Sequence, residues 1–373
     1  MGYPDVNMQA LRQRPEGGHM KALVLCGGTG TRLRPITHTM AKQLVPIANK
    51  PVLFYGLEAI KEAGITDVGI VVGDTKKEIK ESVGDGSRWG IDVHYIHQDE
   101  PLGLAHAVLV AEEYLDGDHF VMYLGDNLIK DGIKGCVDAY RENKPNSEIL
   151  LAHVLEPQRF GVAELEGGKV VRLVEKPERP ASDLALVGVY MFDEHIMEAV
   201  KAIKPSGRGE LEITDAIQWL IDRGYVVDPH VIDGWWKDTG RLEDMLEANR
   251  IMLEGMDQSI RGHVDSESRV LGKVVVEDGA EIINSTVRGP AIIGERTRVV
   301  NSFIGPFTSV YYEVNISDSE IEHSIVLERS TIIDIPGRIE DSLIGQNVVV
   351  GRSPLKPAAY RFMLGDNSRV GIL

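Results

Sequence analysis

Cysteine is nearly absent: Cys26 and Cys136 are the only two among 373 residues. So few thiols exclude a disulfide framework and fit a reducing, cytoplasmic setting. The chain has no apolar run of about 18 residues, so no membrane span is expected. Cations are also scarce. Lys and Arg number 40 against 57 Asp and Glu, a formal net charge of −17. Sequence-independent nucleic-acid binding draws its affinity from Lys and Arg on phosphates, so a nucleic-acid partner is not expected. A small anionic substrate is still compatible, provided the few cations are gathered in one cleft. Apolar residues are not lacking. At 43% hydrophobic and 26% charged, the chain has the ordinary globular mixture and length enough for two or three domains.

Residues 1–19 show neither the apolar core of a secretory signal nor any strand or helix period. They are expected to be an appended tag ahead of a start at Met20. From Lys21 the pattern alternates. Strands are expected at Lys21–Cys26, Val68–Val72, Val93–His97 and His119–Leu124, with helices at Pro51–Ala63, Lys76–Val83 and Leu104–Leu115. Buried-looking strands alternating with amphipathic helices imply βαβ units in a mixed, mostly parallel sheet flanked by helices. Ligands of such sheets bind beyond the carboxyl ends of the strands.

After about Glu254 the texture changes. A short motif, Asn or Asp followed by Ser, any residue and an apolar one, begins at Asn284, Asn301, Asp318 and Asp341, and its first three copies are 17 residues apart. A six-residue pattern interleaves with it, as in Ile293–Val299 and Ile304–Val310. Hexads of this kind predict a left-handed β-helix over 254–350, three short strands per coil, with 351–373 as a capping tail. The expected first domain is then 20–253. Open solenoid ends and flat faces favour a homo-oligomer, with the tail serving assembly and stability rather than chemistry.

The strongest local signal follows the first strand: Gly27-Gly28-Thr29-Gly30-Thr31-Arg32-Leu33-Arg34-Pro35. Glycines after a strand let several N–H groups converge on a phosphate. Neither the dinucleotide pattern G-x-G-x-x-G nor the P-loop pattern is present, since Leu33 stands where the former needs its last glycine. Arg32 within the loop, with Lys42-Gln43 and Lys50 after it, suits a triphosphate better than a diphosphate. This loop, together with Lys42-Gln43-Leu44-Val45-Pro46, Gly125-Asp126-Asn127, Phe160-Gly161-Val162, Val174-Glu175-Lys176-Pro177, Gly207-Arg208-Gly209-Glu210 and Trp236-Lys237-Asp238-Thr239-Gly240, resembles the signature of the sugar-1-phosphate nucleotidylyltransferases. Within that superfamily the pattern is most similar to the branch that joins glucose 1-phosphate to dTTP, in a long form with a β-helix tail.

The resemblance implies a role for each of these positions. Gly27, Gly28, Thr29, Gly30, Thr31 and Arg32 would hold the β- and γ-phosphates, with Gln43 in the same nucleotide-binding set, and Lys42 would bridge the reacting phosphates. Asp126 and Asp238 would hold Mg²⁺, a hard cation that prefers carboxylate oxygen. Glu175 would accept from sugar hydroxyls, Lys176 and Arg208 would take the sugar phosphate, and Gly161, Val187 and Gly188 would line the sugar. Gln98 and Gly103 would meet the base, thymine or uracil, since Gln offers both a donor and an acceptor. Read without the family, Gly125-Asp126-Asn127 is an ordinary turn and Glu175-Lys176 a solvated surface pair. Cys26 has no evident activating base and reads as a small buried hydrophobe.

The implied reaction is one in-line displacement on the α-phosphorus of dTTP by the phosphate of glucose 1-phosphate. It needs no protein nucleophile. UTP is the close alternative, because one methyl gives only about 1–3 kcal/mol of discrimination. Two further readings stay open: an acyl-transferring tail using His323 or His263, and a non-catalytic regulatory subunit.

Overall fold

The computed structural model describes residues 20–28, 30–352, 368, 370 and 371. The expected tag at 1–19, Thr29 and most of the expected cap at 351–373 lie outside the described residues. Strand Lys21–Leu25 is central to the main sheet because both its faces are apolar and both are covered. Ala22 and Val24 point into a core built with Leu53, Leu57 and Ile60 of helix Val52–Glu62. Leu23 and Leu25 point the other way, to a core shared with helices Leu104–Val110 and Ile213–Asp222. The period of two thus distributes one strand between two cores.

In hydrogen-bonded order the sheet runs Lys169–Glu175, Gly161–Glu166, Leu184–Phe192, Phe120–Leu124, Lys21–Leu25, Asp67–Val72, Asp92–His97. Ser147–His153 also pairs with Leu184–Phe192, and Val227–Val231 lies beyond it. The run from Phe120–Leu124 to Asp92–His97 is parallel. Leu184–Phe192 turns the sheet antiparallel. Its register slips between Leu186 and Tyr190, where Gly188 sits at φ 81. The expected helix Leu104–Leu115 is divided at Ala111 into Leu104–Val110 and Glu112–Leu115. Ala111 there closes a tighter bond to the Val108 carbonyl.

The tail is a parallel β-helix: three sheets of six, six and five short strands, each strand pairing with its copy one coil away. Val287, Ile304, Ile321 and Ile339 form one such column. The repeated motif has a physical reason at each place. Its Asn or Asp takes the left-handed conformation, with φ of 43 at Asn284, 47 at Asn301 and 49 at Asp318. Its serine is buried, and the hydroxyls of Ser285 and Ser302 accept the amides of Ser302 and Ser319 one coil on. Its apolar residue fills the solenoid core. The fourth copy corrects the sequence reading. Asp341-Ser342 stacks on His323-Ser324 in another column, with the Ser342 amide donating to the Ser324 hydroxyl. In the original column Ile335 takes the motif's place, its amide donating to the Ser319 hydroxyl.

One face of the solenoid is docked along helix Leu242–Glu254 and the hairpin Pro46–Pro51. Asn249 is fully buried in that seam. Its Oδ1 accepts from the Ala48 amide and the Ser309 hydroxyl, and its Nδ2 donates to the Phe307 carbonyl. Asn49, at the hairpin tip, donates to the Val310 carbonyl. Leaving a buried partner unsatisfied costs about 1–3 kcal/mol, so Asn249→Ala is expected to lower unfolding free energy by roughly 2–4 kcal/mol. Urea unfolding measures this, and a loss below about 0.5 kcal/mol, the size of a neutral surface change, places the seam's stability elsewhere.

Candidate active site

The carboxyl ends of the parallel strands open onto a cavity of about 640 Å³. Its lining includes Gly27, Gly28, Arg32, Lys42, Gln43, Gln98, Gly103, Asp126, Gly161, Glu175, Lys176, Val187, Gly188, Arg208 and Asp238. Gly30 and Thr31 are not on its wall. Gly30, at φ 63, turns the chain, and its carbonyl accepts from the Thr37 hydroxyl. Thr31 opens a 3₁₀ turn on the exposed side. The lining carries five cations and five carboxylates, in a chain that is strongly acidic overall. The scarce positive charge is therefore concentrated here.

One end of the cavity is built by two short antiparallel strands, Asn127–Ile129 and Trp236–Asp238, with Asn127 opposite Asp238. The pairing brings Asp126 and Asp238 together, and the amide and hydroxyl of buried Thr239 both donate to the Asp126 carbonyl. Lys42 is ion-paired with Asp126, and Arg32 lies 4.0 Å from Asp238. Burial alone would depress the Lys42 ammonium, but the adjacent Asp126 carboxylate overrides it and its pKa is raised. Burial and then the charge of Asp126 push the Asp238 carboxyl above the usual carboxylate range. Two carboxylates thus share one close lysine, with the Arg32 guanidinium at the edge of ion-pair reach of Asp238. Cys26, behind this cluster, is wholly buried, and burial raises its thiol pKa, as its reading as a small hydrophobe requires.

At the other end, Glu175 and Gly161 face each other across antiparallel strands. A side chain at position 161 would crowd Thr214 and the Glu175 carboxylate. Glu175 is no solvated surface residue. Burial raises its pKa, against the lowering effect of Lys176. Lys176 and Arg208 each approach its Oε1 at 3.3 Å, and Arg208 also reaches Glu210 and Glu212 at 3.3 Å. Between the two ends, the Asn127 amide donates to the Val187 carbonyl, and a Cβ on Gly188 would lie 2.1 Å from that amide nitrogen. The kink in the strand is what lets Asn127 approach.

The sequence reading missed six polar groups of this wall. Arg159 bridges Glu156 and Asp244 and so ties the turn before Gly161 to helix Leu242–Glu254. Trp236 packs edge-on against Phe160, 4.9 Å between ring centres. Asn127, Tyr190, Glu210 and Glu212 complete the set. Each lies within or beside a motif already singled out, but nothing in spacing alone marks a supporting side chain. His263 and His323 lie apart from the cavity, and His323 pairs with Asp341 one coil away.

The model of the nucleotidyl transferase family matches residues 21–255. The chain belongs to the nucleotidyl transferase family. It is 58% identical to the glucose-1-phosphate thymidylyltransferase of Streptomyces griseus over 95% of this chain and 99% of that one. It is 59% identical to the enzyme of the same name from Streptomyces antibioticus, over the same shares. A solved structure of a Bacillus anthracis protein described as a glucose-1-phosphate thymidylyltransferase, in complex with sucrose, matches at TM-score 0.59 and 36% identity. It covers 62% of this chain and 94% of its own.

The loop that carries Gly103 in this nucleotidyl transferase is held by backbone. Leu211 donates to the Leu102 carbonyl and accepts from Ala105. Gly103 sits between at φ 109, where a Cβ would stand 2.4 Å from the Leu211 carbonyl oxygen. Gly103→Ala is therefore expected to cost about 1–3 kcal/mol of stability through forced backbone strain. Denaturant midpoints for wild type and variant read it directly; equal midpoints mean the loop has room to move aside.

Proposed function

We propose that this chain transfers the thymidylyl group of dTTP to glucose 1-phosphate, forming dTDP-glucose and releasing pyrophosphate. The observation that carries the reading is the single cavity with a cation–carboxylate cluster at each end, Lys42, Asp126, Asp238 and Arg32 at one and Glu175, Lys176 and Arg208 at the other. The thymidylyl specificity rests on the close relatives, which match along almost the whole chain. The reaction proper is a displacement in line. An oxygen of the sugar phosphate, already anionic, forms a bond to the α-phosphorus as the bond to pyrophosphate breaks. Catalysis is then positioning and charge stabilisation.

In this reading Arg32 and the Gly27–Gly28 backbone hold the departing phosphates, and Lys42 spans the reacting ones. Gln43, buried with no partner for its Oε1 among the described residues, belongs to the same nucleotide side. Glu175 holds the sugar hydroxyls, while Gly161, Val187 and Gly188 leave room for the ring. Lys176 and Arg208 exchange their carboxylate partners for the sugar phosphate.

The donor set at Asp126 and Asp238 fits Mg²⁺: two hard carboxylates held together, one of them pushed toward protonation by burial and then by the other's charge. Bound there, the cation would neutralise charge building on the phosphates. The same proposal places the enzyme in the cytoplasm, which agrees with two free, buried cysteines. A homo-oligomer assembled through the solenoid is proposed as well, and light scattering reads its size.

A pyrophosphate-release screen of sugar 1-phosphates against nucleoside triphosphates tests the assignment; no turnover with dTTP or UTP on any sugar overturns it. Asp126→Asn and Asp238→Asn preserve shape but remove charge, so kcat is expected to fall on the order of 10²-fold or more with folding intact. Near-normal turnover at low Mg²⁺ in both variants counts against the metal pair. Lys176→Ala and Arg208→Ala are expected to raise KM for glucose 1-phosphate far more than KM for dTTP. The reverse pattern would move those cations to the nucleotide side.

A further inference from the structure

Gln98 follows strand Asp92–His97, and its amide donates to the Val72 carbonyl. Its side chain is buried at the cavity wall, only 7% exposed. Two groups meet its nitrogen. The Gly103 carbonyl lies 3.4 Å from Nε2, and His106 Nδ1 lies 2.9 Å from it. A carbonyl only accepts, so Gly103 fixes which end of the amide carries the N–H groups. His106 Nδ1 must then accept as well, which places the imidazole proton on Nε2. The other end of the amide, Oε1, is left against Gly27, where a Cβ would come within 2.8 Å of it. Gly27 and Gln98 both line the cavity, and Oε1 has no hydrogen-bond partner among the described residues.

The cavity therefore receives a fixed acceptor. Pyrimidines differ at the position such a group reads. Thymine and uracil carry an N–H at N3, flanked by carbonyls, whereas cytosine has a bare acceptor at N3 beside an amino group. With Oε1 forward, Gln98 pairs with an N3–H and faces a cytosine N3 lone pair to lone pair. With the amide reversed, the preference inverts. We propose that His106 is the positioning residue that selects a pyrimidine bearing an N3–H, by holding the Gln98 amide nitrogen away from the cavity. His106 touches no substrate; it acts through Gln98. This deepens the nucleotide assignment and rests on Gln98 being part of the base site. A site built around a fixed hydrogen bond rejects a mismatched partner far more strongly than one that reads only shape.

The test compares kcat/KM for dTTP with that for dCTP in wild type, His106→Leu, His106→Asn and Gln98→Leu, with melting temperatures to verify folding. Leucine removes the acceptor at Nδ1, and asparagine can return one through its carbonyl oxygen. In His106→Leu the dTTP:dCTP ratio is expected to fall by about tenfold or more, through nucleotide KM, with KM for glucose 1-phosphate unchanged. In His106→Asn the ratio is expected to recover most of that loss. An unchanged ratio in His106→Leu overturns the inference. So does an equal fall in both His106 variants, which would make ring bulk the cause. The placement of the base site fails separately, if Gln98→Leu keeps the wild-type ratio and the wild-type KM for dTTP.

Discussion

Two aspartates and one lysine, gathered in one largely shielded cluster, are the constraint on which the rest of this architecture depends. Removing such charges from water is costly unless each finds a partner, and here one of the two pairs is long. Lys42 serves Asp126, Arg32 stands off from Asp238, and the Asp238 carboxyl is driven toward its neutral form. Free energy favours any ligand that brings positive charge to the pair, or phosphates to the adjoining cations. The two-stranded pairing of Asn127 with Asp238 and the double hydrogen bond from Thr239 to Asp126 prevent the carboxylates from relaxing apart. A functional site that stores unfavourable electrostatics needs this kind of backbone restraint.

The same restraint extends outward. Asn127, one residue from Asp126, reaches the kinked strand at Val187, so the two ends of the cavity share a hydrogen bond. Leu211 joins the loop that carries Gly103 to the segment that carries Arg208. Arg159 links the turn before Gly161 to the helix that follows Asp238. The cavity is thus cross-braced by short polar contacts between segments distant in sequence, which suits a reaction whose catalysis lies mainly in alignment.

The solenoid belongs to this bracing. Leu33, the residue after Arg32, shares an apolar cluster with Leu327, Leu343 and Ile325 of the β-helix. Asn249 joins the same face to the hairpin that follows Lys42 and Gln43. Chain segments carrying two of the cavity's cations are therefore packed on one side by the sheet and on the other by the tail. Among the described residues the tail contributes no side chain to the cavity wall, yet it forms part of the support behind that wall.

Much of this was legible in the sequence because it depends on local rules. The βαβ alternation follows from hydrophobic period, and the β-helix from a stacking period that repeats its Asn, Ser and aliphatic positions. The long motifs also brought Gly161, Glu175, Lys176, Arg208 and Asp238 to attention before any contact was known. What sequence could not determine was which neighbours those residues meet. That Asp341 stacks on His323, that Glu175 is half-buried, that Gly30 and Thr31 stand off the cavity wall, and that Arg159 bridges to Asp244 are all consequences of register and packing between distant segments. The orientation of the Gln98 amide is of the same kind. The sequence by itself determined that a glutamine stands there, with a donor and an acceptor; only the tertiary structure, by placing the Gly103 carbonyl and His106 against its nitrogen, decided that the acceptor faces the cavity.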